Sequence, residues 1–214
     1  MLEDETANAA VVGHEIIQFQ TATLVSPGVY VLSNLLRGRR GTEYMMGYSF
    51  MNNRFVLLQS GGLVFIPTSA SDLGRERWWK AVSNGQRLTD VTSVENTPYS
   101  LNLRPIAPVH ARANRDTTNT VISWLRRTRL STRFTGNLAP SAPLGEEAES
   151  YEIEIYTTSD FSTVVRTLTS TTTSVTYTAA QQTTDFGSGQ TVLYVRIYQL
   201  SAIVGRGTAL QATI

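Results

Sequence analysis

Apolar and polar residues alternate along this chain in short runs bounded by Gly, Pro, Asn and Ser. That pattern is the signature of strands with one buried face, and no long run repeats with the helical period. Residues 15–19 and 22–25 read as one strand pair. Ser26, Pro27 and Gly28 form a turn, with Pro presetting φ and Gly free to take positive φ, and 29–32 is the next strand. Residues 54–59 and 63–66 flank Ser60, Gly61 and Gly62 as a hairpin, and 78–82 and 86–89 flank Ser83, Asn84 and Gly85 as another. The one helical candidate, 71–76, amounts to a single turn.

A boundary falls at 104–108, where Pro105 and Pro108 resist both helix and central strand and read as a short stiff linker. Beyond it the alternation becomes regular. Ile122 and Trp124 share a face, as do Tyr151, Ile153 and Ile155, and then Leu193, Val195 and Ile197. Residues 164–168, 174–177 and 208–213 complete the set. Near-regular strand spacing, a proline-led entry and a tryptophan on an early strand make residues 105–214 similar to a fibronectin type III domain. The expected fold is all-β: a small β domain over 1–104 followed by that sandwich over 105–214.

The 214 residues are 41% hydrophobic and 16% charged, which excludes intrinsic disorder. A net charge of +1, with nine basic against nine acidic residues up to Arg104, gives nothing global to attract nucleic acid. Lys80 is the only lysine. The arginine excess fits either a GC-rich genome or a protein rich in interface ion pairs. With no cysteine there is neither a disulfide framework nor a thiolate metal site. No apolar run approaches the roughly 20 residues that cross a bilayer. The acidic start (Glu3, Asp4, Glu5) is unlike a secretory leader, so neither export by a leader nor membrane insertion by this segment is expected.

Catalytic constellations are scarce. His14 and His110 are the only histidines, and on a strand His14 and Glu15 point to opposite faces, which argues against a metal site or a Ser-His-Asp triad. Glu146, Glu147, Glu149, Glu152 and Glu154 form an acidic stretch. Two of them, Glu152 and Glu154, share one strand face instead of opposing each other across a cleft as glycosidase carboxylates do. The stretch reads as an ion-paired sheet face, with Arg126, Arg127, Arg129 and Arg133 as expected partners. The run Arg37-Gly38-Arg39-Arg40-Gly41 gathers three arginines around two glycines but lacks the Lys-Ser/Thr ending of a phosphate loop. A structured turn is expected there, its arginines bridging to neighbouring chains or to Glu43. Trp78 and Trp79 read either as one core ring plus one edge cover or as a sugar-stacking or interface anchor. Tyr194, Arg196 and Tyr198 line the outer face of the penultimate strand.

Several phrases run in a telling order. Glu15-Ile16-Ile17-Gln18-Phe19 and Pro27-Gly28-Val29-Tyr30 come first, then Leu35 through Glu43, Leu88-Thr89-Asp90 and Leu103-Arg104-Pro105. After them stand Ser123-Trp124-Leu125-Arg126-Arg127-Thr128-Arg129, Pro143 through Glu147, Asp185-Phe186-Gly187 and Gly205-Arg206-Gly207. The set resembles the C-terminal part of the large tail-tip "megatron" proteins of gene transfer agents and related siphophages, in the glycoside-hydrolase-like phage tail family. That resemblance implies a non-enzymatic structural component of a virion tail tip or baseplate, assembled in the host cytoplasm. It implies contacts with hub and distal tail proteins and with copies of itself, in a trimer, and no cofactor. The alternative it leaves open is an adhesion module for a host receptor or glycan.

Overall fold

The computed structural model describes residues 4, 6–64, 66–99, 101–116, 119–130 and 142–214. Four strands, β1 (Ala9–Val12), β2 (Glu15–Ser26), β3 (Val29–Leu36) and β4 (Phe55–Leu57), form an antiparallel sheet in the order β3-β2-β1-β4. Its core is small: Ala10, Ile17 and Phe19, flanked by Val12, Leu32 and Leu57. The turn between β2 and β3 falls where expected, with Gly28 at φ 77°. The expected pair 15–19 and 22–25 is instead one twelve-residue strand. Nothing between them ends a strand, since Gln20 and Thr21 are neither Gly nor Pro and threonine favours extended backbone.

Two expected hairpins are replaced by other pairings. Ser60–Gly62 is a 3-10 turn, and β4 pairs with β1 through Ala10 and Leu57. A tight primed turn needs positive φ at its centre, and neither Gly61 nor Gly62 has it. The turn at 83–86 does form, with Gln86 N donating to Ser83 O at 3.0 Å and Gly85 at φ 86°. Its flanks do not pair: Leu88–Asp90 is a 3-10 turn, and β5 (Arg77–Trp79) pairs with β6 (Val94–Asn96) as a separate two-stranded ribbon. The helical turn expected at 71–76 is a 3-10 turn over Ala70–Asp72.

The second half is a fibronectin type III-like β-sandwich. One sheet orders β11 (Ser174–Tyr177), β8 (Thr120–Leu125) and β7 (Val109–Arg115). The other orders β10 (Val164–Ser170), β9 (Tyr151–Tyr156) and β12 (Tyr194–Ser201), with β13 (Gly205–Arg206) and β14 (Leu210–Thr213) both on β12. Every pairing is antiparallel. The alternating residues meet between the sheets as expected: Ile122, Trp124 and Tyr177 from one side, and Tyr151, Ile153, Ile155, Val195 and Ile197 from the other. The Trp124 ring meets Tyr151 edge-on at 5.1 Å. One helix, α1 (Ala179–Phe186), was not read from the sequence. Thr178 starts it with a capping box closed by Gln181, and Gly187 ends it at φ 80°.

The Pro105–Pro108 segment is packed in place instead of spanning solvent as a stiff tether. Both prolines are fully buried, and Ile106 and Ala107 are buried between them. Proline brings no N–H to bury, and the exposed needs of this segment are its carbonyls. Thr208 N donates to Pro105 O at 2.9 Å and Arg127 Nε to Ala107 O at 2.7 Å. Among the described residues no strand of 9–96 pairs with a strand of 109–213.

Candidate functional site

The glycine-arginine turn faces inward. Gly38 at φ 59° swings Arg37 back onto Glu15, where Nε donates to Oε1 at 2.6 Å and Nη2 to Oε2. Gly38 N adds a third bond to Oε1 at 2.8 Å. The hydrogen-bonded Arg37 guanidinium holds the Glu15 carboxyl below its ordinary range. Arg39 is buried, with Nε donating to Gln18 Oε1 at 2.7 Å. The expected bridge to Glu43 is corrected for Arg37, which bonds Glu15 instead, and Arg39 bonds Gln18, so both tie β2 to the turn that follows β3. Arg37 and Arg40 are exposed at the surface while Arg39 is buried, and Arg40 sits at φ 54°.

Glu43 takes Arg127 instead, across 84 positions of sequence. Arg126 pairs with Glu149 at 2.8 Å and Arg129 with Glu146 at 2.9 Å, as the acidic-stretch reading expects. Among the described residues Glu152 and Glu154 pair not with Arg126, Arg127 or Arg129 but with Arg206. The register explains the difference. Glu154 and Glu152 lie opposite Arg196 and Tyr198 of β12, whose far end carries β13 and Arg206. Arg133 lies outside the described residues.

Tyr194, Arg196 and Tyr198 do share the outer sheet face, but as a closed ladder and not as free side chains. Arg196 stacks over Tyr156 at 5.0 Å and Phe161 at 5.3 Å, and its Nε donates to Gln211 at 2.9 Å. Arg206 lies 4.8 Å over Tyr198. Burial alone would raise the Glu154 carboxyl. The Tyr156 hydroxyl and then the Arg206 charge outweigh it and hold the carboxyl below its ordinary range. Burial and the Glu154 acceptor push the Tyr156 hydroxyl up to about 12.

Two surfaces are open. Beyond Phe19 the hairpin of β2 and β3 runs past β1, which ends at Ala9 opposite Gln18. Residues 20–31 are exposed on both faces, including Leu24, Val25, Val29, Tyr30 and Val31. Residues 16–36 contain no Asp, Glu, Lys, Arg or His. The second surface is the β5–β6 ribbon. Trp78 is 59% and Trp79 39% exposed, so neither ring enters a core. The reading of one buried and one covering ring is corrected: a two-stranded ribbon has no second layer to bury a face against.

Among the described residues no three His, Asp or Glu side chains gather as a metal site. No helix there is long and apolar enough to cross a membrane.

Residues 4–56 match the family model described as Rcc01698-like, C-terminal. The matched stretch contains the Arg37–Glu15 turn and the whole exposed hairpin. No curated protein matches. Among solved structures the chain is similar to the extracellular region of rat CD45, domains d3–d4, at 10% identity, with 91% of this chain and 93% of that chain covered and a TM-score of 0.35. A likeness that distant leaves the fold to rest on the strand pairing itself.

Proposed function

We propose that this chain is a non-enzymatic structural component of a phage-type or gene-transfer-agent tail tip or baseplate, held there by hub and distal tail proteins and by copies of itself. The observation that carries the reading is the hairpin of β2 and β3. Isolated two-stranded hairpins are marginal in water, and sheet edges are ordinarily guarded by charge, proline or cover. From residue 16 to residue 36 this hairpin has no charged side chain on either face, and its outer half exposes apolar side chains on both. It is built to be covered by neighbours. The ordered phrases that resemble tail-tip proteins, and the family match over residues 4–56, which contain the first of those phrases and the hairpin, support that setting.

The test is assembly. The chain should co-purify with the other tail proteins when all are expressed together, and particles lacking it should lose their tips. Normal, infective particles formed without it would sink the proposal. A second reading, adhesion to a host receptor or glycan, is favoured by the two outward-facing tryptophans of β5. Whole-cell binding by the purified chain tests it.

A further inference from the structure

Beside the ribbon lies an open cleft of about 460 Å³, lined by Trp79, Tyr99, Asn96, Asn102, Thr68 and Thr97. That volume suits a small ligand. We propose that it binds one or two units of a neutral sugar, an inference that rests on the adhesion reading and gives it a site.

Three features point to that chemistry. The lining supplies two exposed aromatic side chains, an apolar face for the C–H surface of a pyranose. Around them stand two amides, two threonine hydroxyls and the phenol, and none of these side chains hydrogen-bonds to any described residue. Amides and hydroxyls both donate and accept, as sugar hydroxyls do. Finally, the lining carries no charged residue, so a uronate or amino sugar would lose hydration without gaining a counter-charge.

The chain has three tryptophans, and only Trp79 lines this cleft. Indole N–H resonances of the ¹⁵N-labelled full chain therefore report the site directly. The titrants are the methyl glycosides of glucose, galactose, mannose and N-acetylglucosamine, with glucuronate and glucosamine as charged counterparts. At least one neutral glycoside should shift the Trp79 signal, with a Kd on the order of 1 mM, and leave buried Trp124 unmoved. Trp79→Ala should weaken binding at least about tenfold, Trp79→Phe less, and Asn102→Ala several-fold. Should Trp79→Ala fail to fold, Asn102→Ala decides. No shift from any neutral glycoside at about 20 mM, equal movement of Trp124, or a charged sugar binding as tightly would each overturn the proposal. Whole-cell adhesion that survives Trp79→Ala would refute the cleft while leaving adhesion standing, and neither result touches the assembly test.

Discussion

Glu15 is 2% exposed and accepts three N–H groups, two from the Arg37 fork and one from Gly38. Removing its charge leaves a guanidinium facing a neutral amide. Glu15→Gln should cost about 2–3 kcal/mol at pH 7, read by urea denaturation. The pH dependence has a definite sign. The folded carboxyl titrates below its ordinary value of 4.5. Its contribution is therefore complete above that value and is lost as pH falls through the lowered one. The gap between wild type and Glu15→Gln should be constant above about pH 5 and narrow progressively as the pH is taken below 4.5; a gap that stays constant down to the acid unfolding transition would mean the carboxylate charge is not what stabilises the turn. The sequence announced this site only by half. Three arginines interleaved with glycines stand out as a motif, but Glu15 and Gln18, the acceptors of Arg37 and Arg39, lie 22 and 21 positions away. Pairing at that distance follows from strand register, which no local pattern encodes.

Elements were legible where both faces of a strand have different fates. In the sandwich, alternation maps directly onto inside and outside, so Tyr151, Ile153 and Ile155 were placed correctly from spacing alone. Between β4 and β6 the strands are three residues long and largely exposed, so alternation carries little information there. Turn signals then mislead, because a glycine pair marks flexibility without saying which strands will pair. Two substitutions test what individual elements contribute. A Cβ on Gly207 would sit 2.6 Å from Pro105 O and 2.9 Å from Gln199 O, both backbone atoms that cannot yield cheaply. Gly207→Ala should destabilise the sandwich by about 2–4 kcal/mol, whereas Gly61→Ala, with nothing within 4 Å and no positive φ, should be near neutral. Equal effects of the two would refute the clamp of Pro105 against β12. Thr178→Ala removes the capping box of α1 and should cost about 1 kcal/mol, seen as a matching drop in thermal midpoint.

For the molecule as a whole, the apolar residues divide into two populations that look alike in sequence. Those of the sandwich meet one another. Those of the outer half of the β2–β3 hairpin meet solvent, although Val29 and Val31 are as hydrophobic as Val195. Sequence pattern separates strand from turn, but whether a strand is covered by its own chain or by another depends on how far its sheet extends, and β1 is too short to support the hairpin's outer half. The two populations should therefore respond oppositely to substitution. Ile153→Ala empties space inside the sandwich and should cost about 2–5 kcal/mol in the isolated chain. Tyr30→Asp, at a side chain 58% exposed, should change that stability by no more than about 0.5 kcal/mol. Its penalty should appear only on assembly, where a buried carboxylate would face apolar neighbours without a counter-charge. Co-purification with tail partners should fall at least about tenfold for Tyr30→Asp and stay near wild type for Tyr30→Phe. If Tyr30→Asp instead unfolded the isolated chain, the hairpin would be supporting its own domain. If it assembled normally, the uncharged hairpin would have some other purpose than to be covered.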